Sequence, residues 1–301
     1  MAKKYSKKEL FIKFKNLGWS NSPQSKSIFN FLMRVRKETQ GRNILLDLGA
    51  GECRYDFFFD NCHYISIDFA KGDKSWDWNK LDIIGDISNP KFIKNNSVDF
   101  CLCTTTLEHI NEPQRFFREI YRILKRGGRL FLEVPYFIDE HQIPYDFYRY
   151  TRFGLKYLCQ QSELKLLSIQ PSSSPLATGI YLVNHSINIA DAHNFFIRVI
   201  KVLLRLSFKY ILTPIFLKLD QNVVKKRFPK DWILIAQKEP KGKQATKISK
   251  KFQSKQKALD SILCCPKCSK SLKSVSTKYF CSNCSTQYSK DGNQVNFLNI
   301  P

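Results

Sequence analysis

The chain has 301 residues, of which 43% are hydrophobic, 14% aromatic and 25% charged. That is apolar material for a sizeable core in roughly two domains, and it excludes wholesale disorder. Lys and Arg total 49 against 26 Asp and Glu, a formal net charge of +23 that attracts polyanions: nucleic acid, an anionic membrane face or phosphorylated substrates. Ten cysteines are too sparse for a disulfide-stapled scaffold, so their spacing matters more than their number. The opening MAKKYSKK is followed by no apolar run or cleavage site, and no stretch of about 20 uncharged apolar residues occurs. The expected location is the reducing cytoplasm.

Residues 1–42 read as basic helical segments punctuated by Gly18 and Pro23. From Asn43 the texture changes to short apolar runs ended by Asp and Gly, as buried parallel strands require. These runs are Ile44–Leu46, Tyr64–Asp68, Leu81–Asp86, Val98–Thr104 and Arg129–Pro135. Between the last two, Phe116, Phe117, Ile120, Tyr121 and Leu124 fall at helical spacing, with Gly127-Gly128 as the stop. A polar, aromatic loop (136–151), a helix (Phe153–Gln161) and a strand (Lys165–Ile169) follow. A Ser/Pro break then opens a long apolar, basic stretch, before one more strand at Trp232–Ala236. Strands alternating with helices predict an α/β fold around a parallel sheet. The domain limits read from this pattern are a helical segment 1–42, a domain 43–237 with an apolar insertion at about 176–228, a Lys-rich linker 238–257 and a compact piece 258–301.

Ile44–Tyr55 reads ILLDLGAGECRY, a strand running into Gly49-x-Gly51. Such a turn lets backbone approach a ligand and offers N–H groups at the next helix start, although a tight turn without ligand has the same glycines. A nicotinamide site needs glycine at position 54, where Arg54 stands. Asp68 ends the next strand, where a carboxylate can accept ribose hydroxyls; Asp86 ends the third, and Thr104 to His109 closes the fourth. Each acid alone could be a cap or turn residue.

As an ordered set, LDLGAGECRY, the acid of YISID, IIGDIS and SVDFCLCTTTLEHI…RILKRGGRLFLEVP resemble the class I S-adenosylmethionine-dependent methyltransferases over about residues 40–170. The resemblance implies a Rossmann-like seven-stranded sheet whose last strand is antiparallel, here preceded by a helical insertion. It places Asp47, Gly49, Ala50 and Gly51 around the methionine part of S-adenosyl-L-methionine, Asp68 at the ribose, Asp86 with the Ile87 backbone at the adenine, and Thr104 toward the sulfonium. Cys53 departs from the family, many members of which have a third glycine there.

Methyl transfer from a sulfonium is an in-line displacement, so positioning the acceptor supplies much of the acceleration. A general base is required only where the acceptor must lose a proton. Glu108, His109 and His141 are the candidate catalytic residues, with capping or packing as the alternative role for His109. His141 opens HQIPYDFYRYT, a loop that resembles segments of related methyltransferases and is expected either to wall the substrate pocket or to be a structural loop held by Asp146 and Arg149. The insertion leaves the sheet at the carboxyl edge and is expected to roof that pocket. Within 195–217, Arg198, Lys201, Arg205 and Lys209 share one narrow face of an otherwise apolar helix, as in interfacial helices. A sheet-covering helix or a dimer seam is the other reading. A bilayer contact would place the protein at the inner face of the cell membrane and favour a lipid-linked or small hydrophobic acceptor, glycan- or quinone-like.

Cys265-x2-Cys268 and Cys281-x2-Cys284, separated by 12 residues, supply four thiolates for a closed structural zinc site. A redox pair is the weaker reading. The whole segment resembles the small zinc-ribbon proteins that activate methyltransferases of tRNA and translation factors, which implies docking in cis. An RNA methyltransferase using the basic surface is the competing function, although Thr104-Thr105-Thr106-Leu107 lacks the Asn/Asp-Pro-Pro-Tyr type of motif frequent in base-nitrogen methylases. A non-enzymatic scaffold is the third possibility.

Overall fold

The apolar runs between glycine and aspartate turns form strands, and their order sets the architecture of this computed structural model, which describes residues 5–18, 23–41, 43–72, 75–189, 194–220, 227–240, 254–275 and 277–298. The strands are β1 (Ile44–Leu48), β2 (His63–Asp68), β3 (Ile83–Ile84), β4 (Val98–Thr104), β5 (Leu124–Pro135), β6 (Leu164–Pro171) and β7 (Asp231–Lys238). They lie in the order β6-β7-β5-β4-β1-β2-β3. β1 to β5 pair in parallel, and β7 runs antiparallel between β5 and β6. This is the seven-stranded Rossmann-like sheet expected, with the insertion between β6 and β7.

Because β1 is buried on both faces, its residues divide between two cores. Ile44, Leu46 and Leu48 pack with α3 (Pro113–Ile123), α4 (Arg152–Gln161) and α8 (Lys255–Ile262). Leu45 packs on the other face with α1 (Lys7–Asn16) and α2 (Pro23–Glu38), through Phe14, Phe29, Leu32 and Val35. Ser6 caps α1 in a capping box with Glu9.

Three local expectations are corrected. No helix follows Gly51: turns lead into a single 3-10 turn at Asp56–Phe58, and Cys53 takes a left-handed φ of 55°. The third strand contracts from Leu81–Asp86 to Ile83–Ile84, because the Asp82 carboxylate turns aside to accept from the Ser66 backbone N–H and hydroxyl at 2.8 and 3.0 Å. The α3 helix ends at Ile123, ahead of Gly127-Gly128, because Leu124 already pairs with Val98 and the glycines fall in an irregular stretch of β5.

The connections β1–β2, β2–β3 and β3–β4 carry no α-helix among the described residues, so that half of one sheet face lacks its own cover. The C-terminal piece supplies it. Ala258, Leu259 and Ile262 of α8 are buried in the same core as Ile65 and Ile67. Its strands β8 (Lys273–Val275), β9 (Lys278–Phe280), β10 (Gln287–Asp291) and β11 (Gln294–Asn296) extend the sheet, with β11 parallel to β3. The Val295 and Phe297 N–H groups donate to the Asp82 and Ile84 carbonyls at 2.9 and 2.8 Å. An edge strand two residues long is thereby covered. Of the expected Lys-rich linker, 241–253 lies outside the described residues.

The insertion comprises α5 (Pro175–Ile189), α6 (Phe195–Ser207), a π-helical turn at Phe208–Leu212 and α7 (Thr213–Asp220). It touches the rest of the domain through α5: His185 Nε2 lies 3.1 Å from Asp139, and Lys230 Nζ sits 4.2 Å from the Tyr181 ring centroid. No residue of α6 is buried. Among the described residues, no helix is long and apolar enough to cross a membrane.

Candidate active site

The carboxyl ends of β1, β2, β4 and β5 open onto one cleft of about 610 Å³. Asp47, Gly49, Ala50, Gly51, Asp68, Asp86, Ile87, Thr104 and His109 all line it. The sequence-predicted cofactor residues are therefore brought together. Glu108 and His141 lie behind the wall that His109 contributes; among the described residues His109 alone of the three candidate catalytic groups lines the cleft.

The glycine turn is built differently from the sequence expectation. The Gly49 and Ala50 N–H groups both donate to the Ile67 carbonyl, at 2.9 and 3.1 Å, and Gly51 N–H donates to Asp68 Oδ2 at 2.9 Å. The backbone donors thus hold the turn against β2 rather than remaining open. At Gly49, with φ 77°, an added Cβ would sit 2.1 Å from Thr106 Cγ2, so Thr106 requires glycine there. Trp76 covers Gly51 in the same way, at 3.1 Å from such a Cβ.

The acids do the polar work. Asp47 is buried; Tyr64 Oη donates to its Oδ2 at 2.7 Å, while Oδ1 has no hydrogen-bond partner among the described residues. Burial pushes its pKa up to about 7, against the pull of the Tyr64 hydrogen bond and with the help of the Asp68 charge. Burial also raises Asp68, despite backbone N–H donors from Ala70 and Gly51. Asp86 Oδ1 accepts from the Ser88 N–H and hydroxyl at 2.8 and 2.7 Å, so it shapes its own turn as well as lining the cleft. Asp99 lies at the opposite sheet edge, accepting from Ile44 N–H and Lys125 Nζ.

Sequence reasoning missed several wall residues. Glu133 on β5 and Asp231 at the start of β7 are buried acids facing the cleft, both raised chiefly by burial, Glu133 also by the Asp231 charge and Asp231 by that of Glu108. Gln24 of α2 reaches the same place and donates to Asp231 Oδ2 at 2.8 Å. A carboxylate inside FLEVP, an otherwise apolar strand, was the available signal. The loop after β5 serves both roles weighed for it. Arg149 clamps Asp146 with two bonds of 2.6 and 2.7 Å, while Ile138, Gln142, Tyr145 and Phe147 line the cleft. The insertion does not roof the cleft: among the described residues none from 176–228 lines it.

Residues 46–132 match the family model of a methyltransferase domain. That match places a methyltransferase domain over the strands from β1 to β5. No curated protein matches the chain. Among solved structures it is similar to an S-adenosylmethionine-dependent methyltransferase from Archaeoglobus fulgidus (16% identity over 69% of this chain and 92% of that one, TM-score 0.44). It is similar also to phosphoethanolamine N-methyltransferase 2 of Haemonchus contortus in complex with S-adenosyl-L-methionine (14%, 79% and 58%, TM-score 0.45). A further similar structure is the complex of the Haloferax volcanii Trm112 methyltransferase activator with a methyltransferase (15%, 70% and 89%, TM-score 0.42).

The wall fits this cofactor, which carries a sulfonium and an ammonium: a buried carboxylate oxygen without partner, Asp47 Oδ1, faces a cleft otherwise rich in acids. In the C-terminal piece the four Sγ atoms of Cys265, Cys268, Cys281 and Cys284 lie within 4.8 Å of one another, with pairs at 3.4, 3.4 and 3.8 Å. Four Zn–S bonds of about 2.3 Å require edges of about 3.8 Å, so the cluster is compatible with a zinc ribbon. The Thr286 hydroxyl 3.2 Å from Cys284 Sγ favours its thiolate and draws it down to about 6.

Proposed function

We propose that the cleft methylates a small acceptor, glycan- or quinone-like, presented at a bilayer surface on which α6 rests. The observation that carries this is the cleft itself, which joins the cofactor acids to the aromatic wall of Tyr145 and Phe147 within one volume suited to a nucleoside cofactor and a small partner. Bound S-adenosyl-L-methionine would supply an electrophilic methyl group. Asp68 accepts from the ribose, Asp86 and the Ile87 backbone hold the adenine, and Asp47 with the glycine turn takes the methionine end. Tyr145 and Phe147 pack the acceptor and exclude water. The acceptor's proton leaves toward His109, the one of the three candidate groups that lines the cleft among the described residues, with Glu108 and His141 behind it.

Phe195 and Phe196 are 74% and 77% exposed, and Arg198, Lys201 and Arg205 follow on the same helix, which supports a peripheral contact with anionic lipid. We infer also that zinc occupies the four cysteines and holds the C-terminal piece folded against β3. An RNA acceptor is disfavoured by the cleft wall, where Asp47, Asp68, Asp86, Glu133 and Asp231 outnumber Arg54, Lys71 and Lys230.

The test is to incubate the full chain and methyl-labelled cofactor with a membrane extract and with total RNA. Label in an organic-extractable or other small-molecule product supports the proposal. Label confined to RNA overturns it.

A further inference from the structure

Glu108 and His109 leave the end of β4, and His141 arrives from the loop after β5. The Glu108 side chain is fully buried, yet neither of its oxygens has a hydrogen-bond partner among the described residues. His109 Nε2 lies 3.8 Å and His141 Nε2 3.6 Å from Glu108 Oε1, and both nitrogens are buried and equally unpartnered. The two rings meet edge to face with centroids 4.8 Å apart.

The opposite ring nitrogens fix the orientation of both rings. His109 Nδ1 is 2.7 Å from the Tyr145 carbonyl, and His141 Nδ1 is 3.0 Å from the Asp139 carbonyl. A carbonyl only accepts, so each Nδ1 carries a proton and each ring turns its Nε2 toward the carboxylate, whose contact favours the charged form of His141. One carboxylate and two Nε2 atoms then converge in a buried place, an arrangement that is costly unless positive charge, a proton or a metal ion, lies between them. A proton on one ring meets only one of the two contacts, at 3.6 or 3.8 Å, whereas a metal ion engages all three groups at once.

We propose that Glu108, His109 and His141 bind a divalent first-row transition-metal ion, at a site separate from the four cysteines. Two imidazoles and one carboxylate suit Fe²⁺, Mn²⁺, Co²⁺, Ni²⁺ or Zn²⁺. Bonds of about 2.1 Å set neighbouring donors about 3.0–3.4 Å apart, so the two Glu–His spacings need to close by less than about 1 Å, within a group whose donors all lie within 4.8 Å of one another. The outer contacts are those of a built metal site: each ring is fixed by a carbonyl on its far nitrogen. The loop is anchored as well, by Phe147 and Tyr148 N–H groups on the Glu108 carbonyl at 2.9 and 3.3 Å, and by His141 N–H on Asp146 Oδ2 at 3.0 Å. Three protein ligands leave coordination positions open, where an acceptor hydroxyl would lose its proton more readily.

The inference stands apart from the methyl-transfer reading, because its test reads metal binding alone. The full chain, with its cysteines loaded with zinc, is titrated with Mn²⁺ and followed by electron paramagnetic resonance; Mn²⁺ competes poorly for thiolates. One Mn²⁺ per chain is expected, with Glu108→Gln and His141→Ala each weakening it at least tenfold. A structural His–Glu pair is distinguished by stability: without added metal, Glu108→Gln should melt no lower than the wild type, since it removes a buried carboxylate that lacks a donor. Co²⁺ provides the second probe, expected to give d–d bands without a thiolate charge-transfer band. Absence of any Mn²⁺ or Co²⁺ beyond the cysteine site, equal binding by both variants, or a lower melting point for Glu108→Gln would each overturn the proposal. Intact metal binding without cofactor binding would sink the methyl-transfer reading alone.

Discussion

Phe92 and Phe297 stack face to face, ring centroids 4.5 Å apart and planes 5° apart, although they come from the β3–β4 connection and the C-terminal piece. Both rings are buried, and beside them Cys264 N–H donates to the Phe92 carbonyl at 2.8 Å. The four-cysteine piece is thus an integral part of the methyltransferase sheet, closing its β3 edge and supplying a helix to its bare face.

Phe297→Ala should therefore destabilise the whole chain by about 3–5 kcal/mol, as large-to-small core changes do. Denaturant unfolding read at a core tryptophan, Trp232 on β7, checks this. Chelation of the proposed zinc should lower the same transition; a β7 signal indifferent to both treatments would show that the two parts fold independently.

Gly49→Ala should be harmful for two reasons at one position. The left-handed φ costs a residue with Cβ about 1–3 kcal/mol, and the new methyl collides with Thr106, whose hydroxyl is already bonded to the Gly49 and Thr104 carbonyls. Loss of cofactor affinity together with a lower melting temperature is expected, measured by calorimetry of binding and of unfolding.

The pH dependence of cofactor binding follows from Asp47. Its folded pKa of about 7 lies above the ordinary 3.8, so below pH 7 the cleft loses a negative charge as the proton is taken up. Affinity for the cofactor, through its sulfonium and ammonium, should rise as pH climbs from about 5.5 to 7.5, by at most about tenfold per unit. Above that range the ligand's own amine begins to titrate. In Asp47→Asn the rise should vanish. For the unliganded fold the sign is opposite: a raised carboxyl pKa withdraws stability as pH increases from about 4 toward 7, so the aspartate should be better tolerated in acid.

Liposome sedimentation tests the bilayer contact. The full chain should pellet with vesicles containing anionic phospholipid, and Lys201→Glu with Arg205→Glu should cut the bound fraction several-fold. Equal binding to neutral vesicles would remove the electrostatic part of the proposal.

Much of this was legible in the chain. Asp and Gly at the ends of apolar runs placed the strand ends, and with them the acids of the cleft, because parallel strands put their carboxyl ends on one edge. The turn chemistry was less so. Cys53 adopts a left-handed conformation, and Gly49 and Ala50 spend their N–H groups on Ile67, neither of which a glycine count reveals. The pairing of β11 with β3 is a contact between distant segments, invisible to local periodicity. The approach of His141 to Glu108 is hidden for the same reason: a polar loop gives no register, and its path is set by the Asp146–Arg149 clamp and by N–H groups on the Glu108 carbonyl. Glu133 could have been found, as a carboxylate in a buried strand needs a reason to be there.

The most direct measurement is isothermal titration of S-adenosyl-L-methionine into the full chain and into Asp68→Ala. The predicted result is one site per chain, weakened at least tenfold in the variant while its melting temperature stays close to the wild type. No heat of binding, or equal affinity in both proteins, would contradict the assignment of this cleft to an adenosyl cofactor.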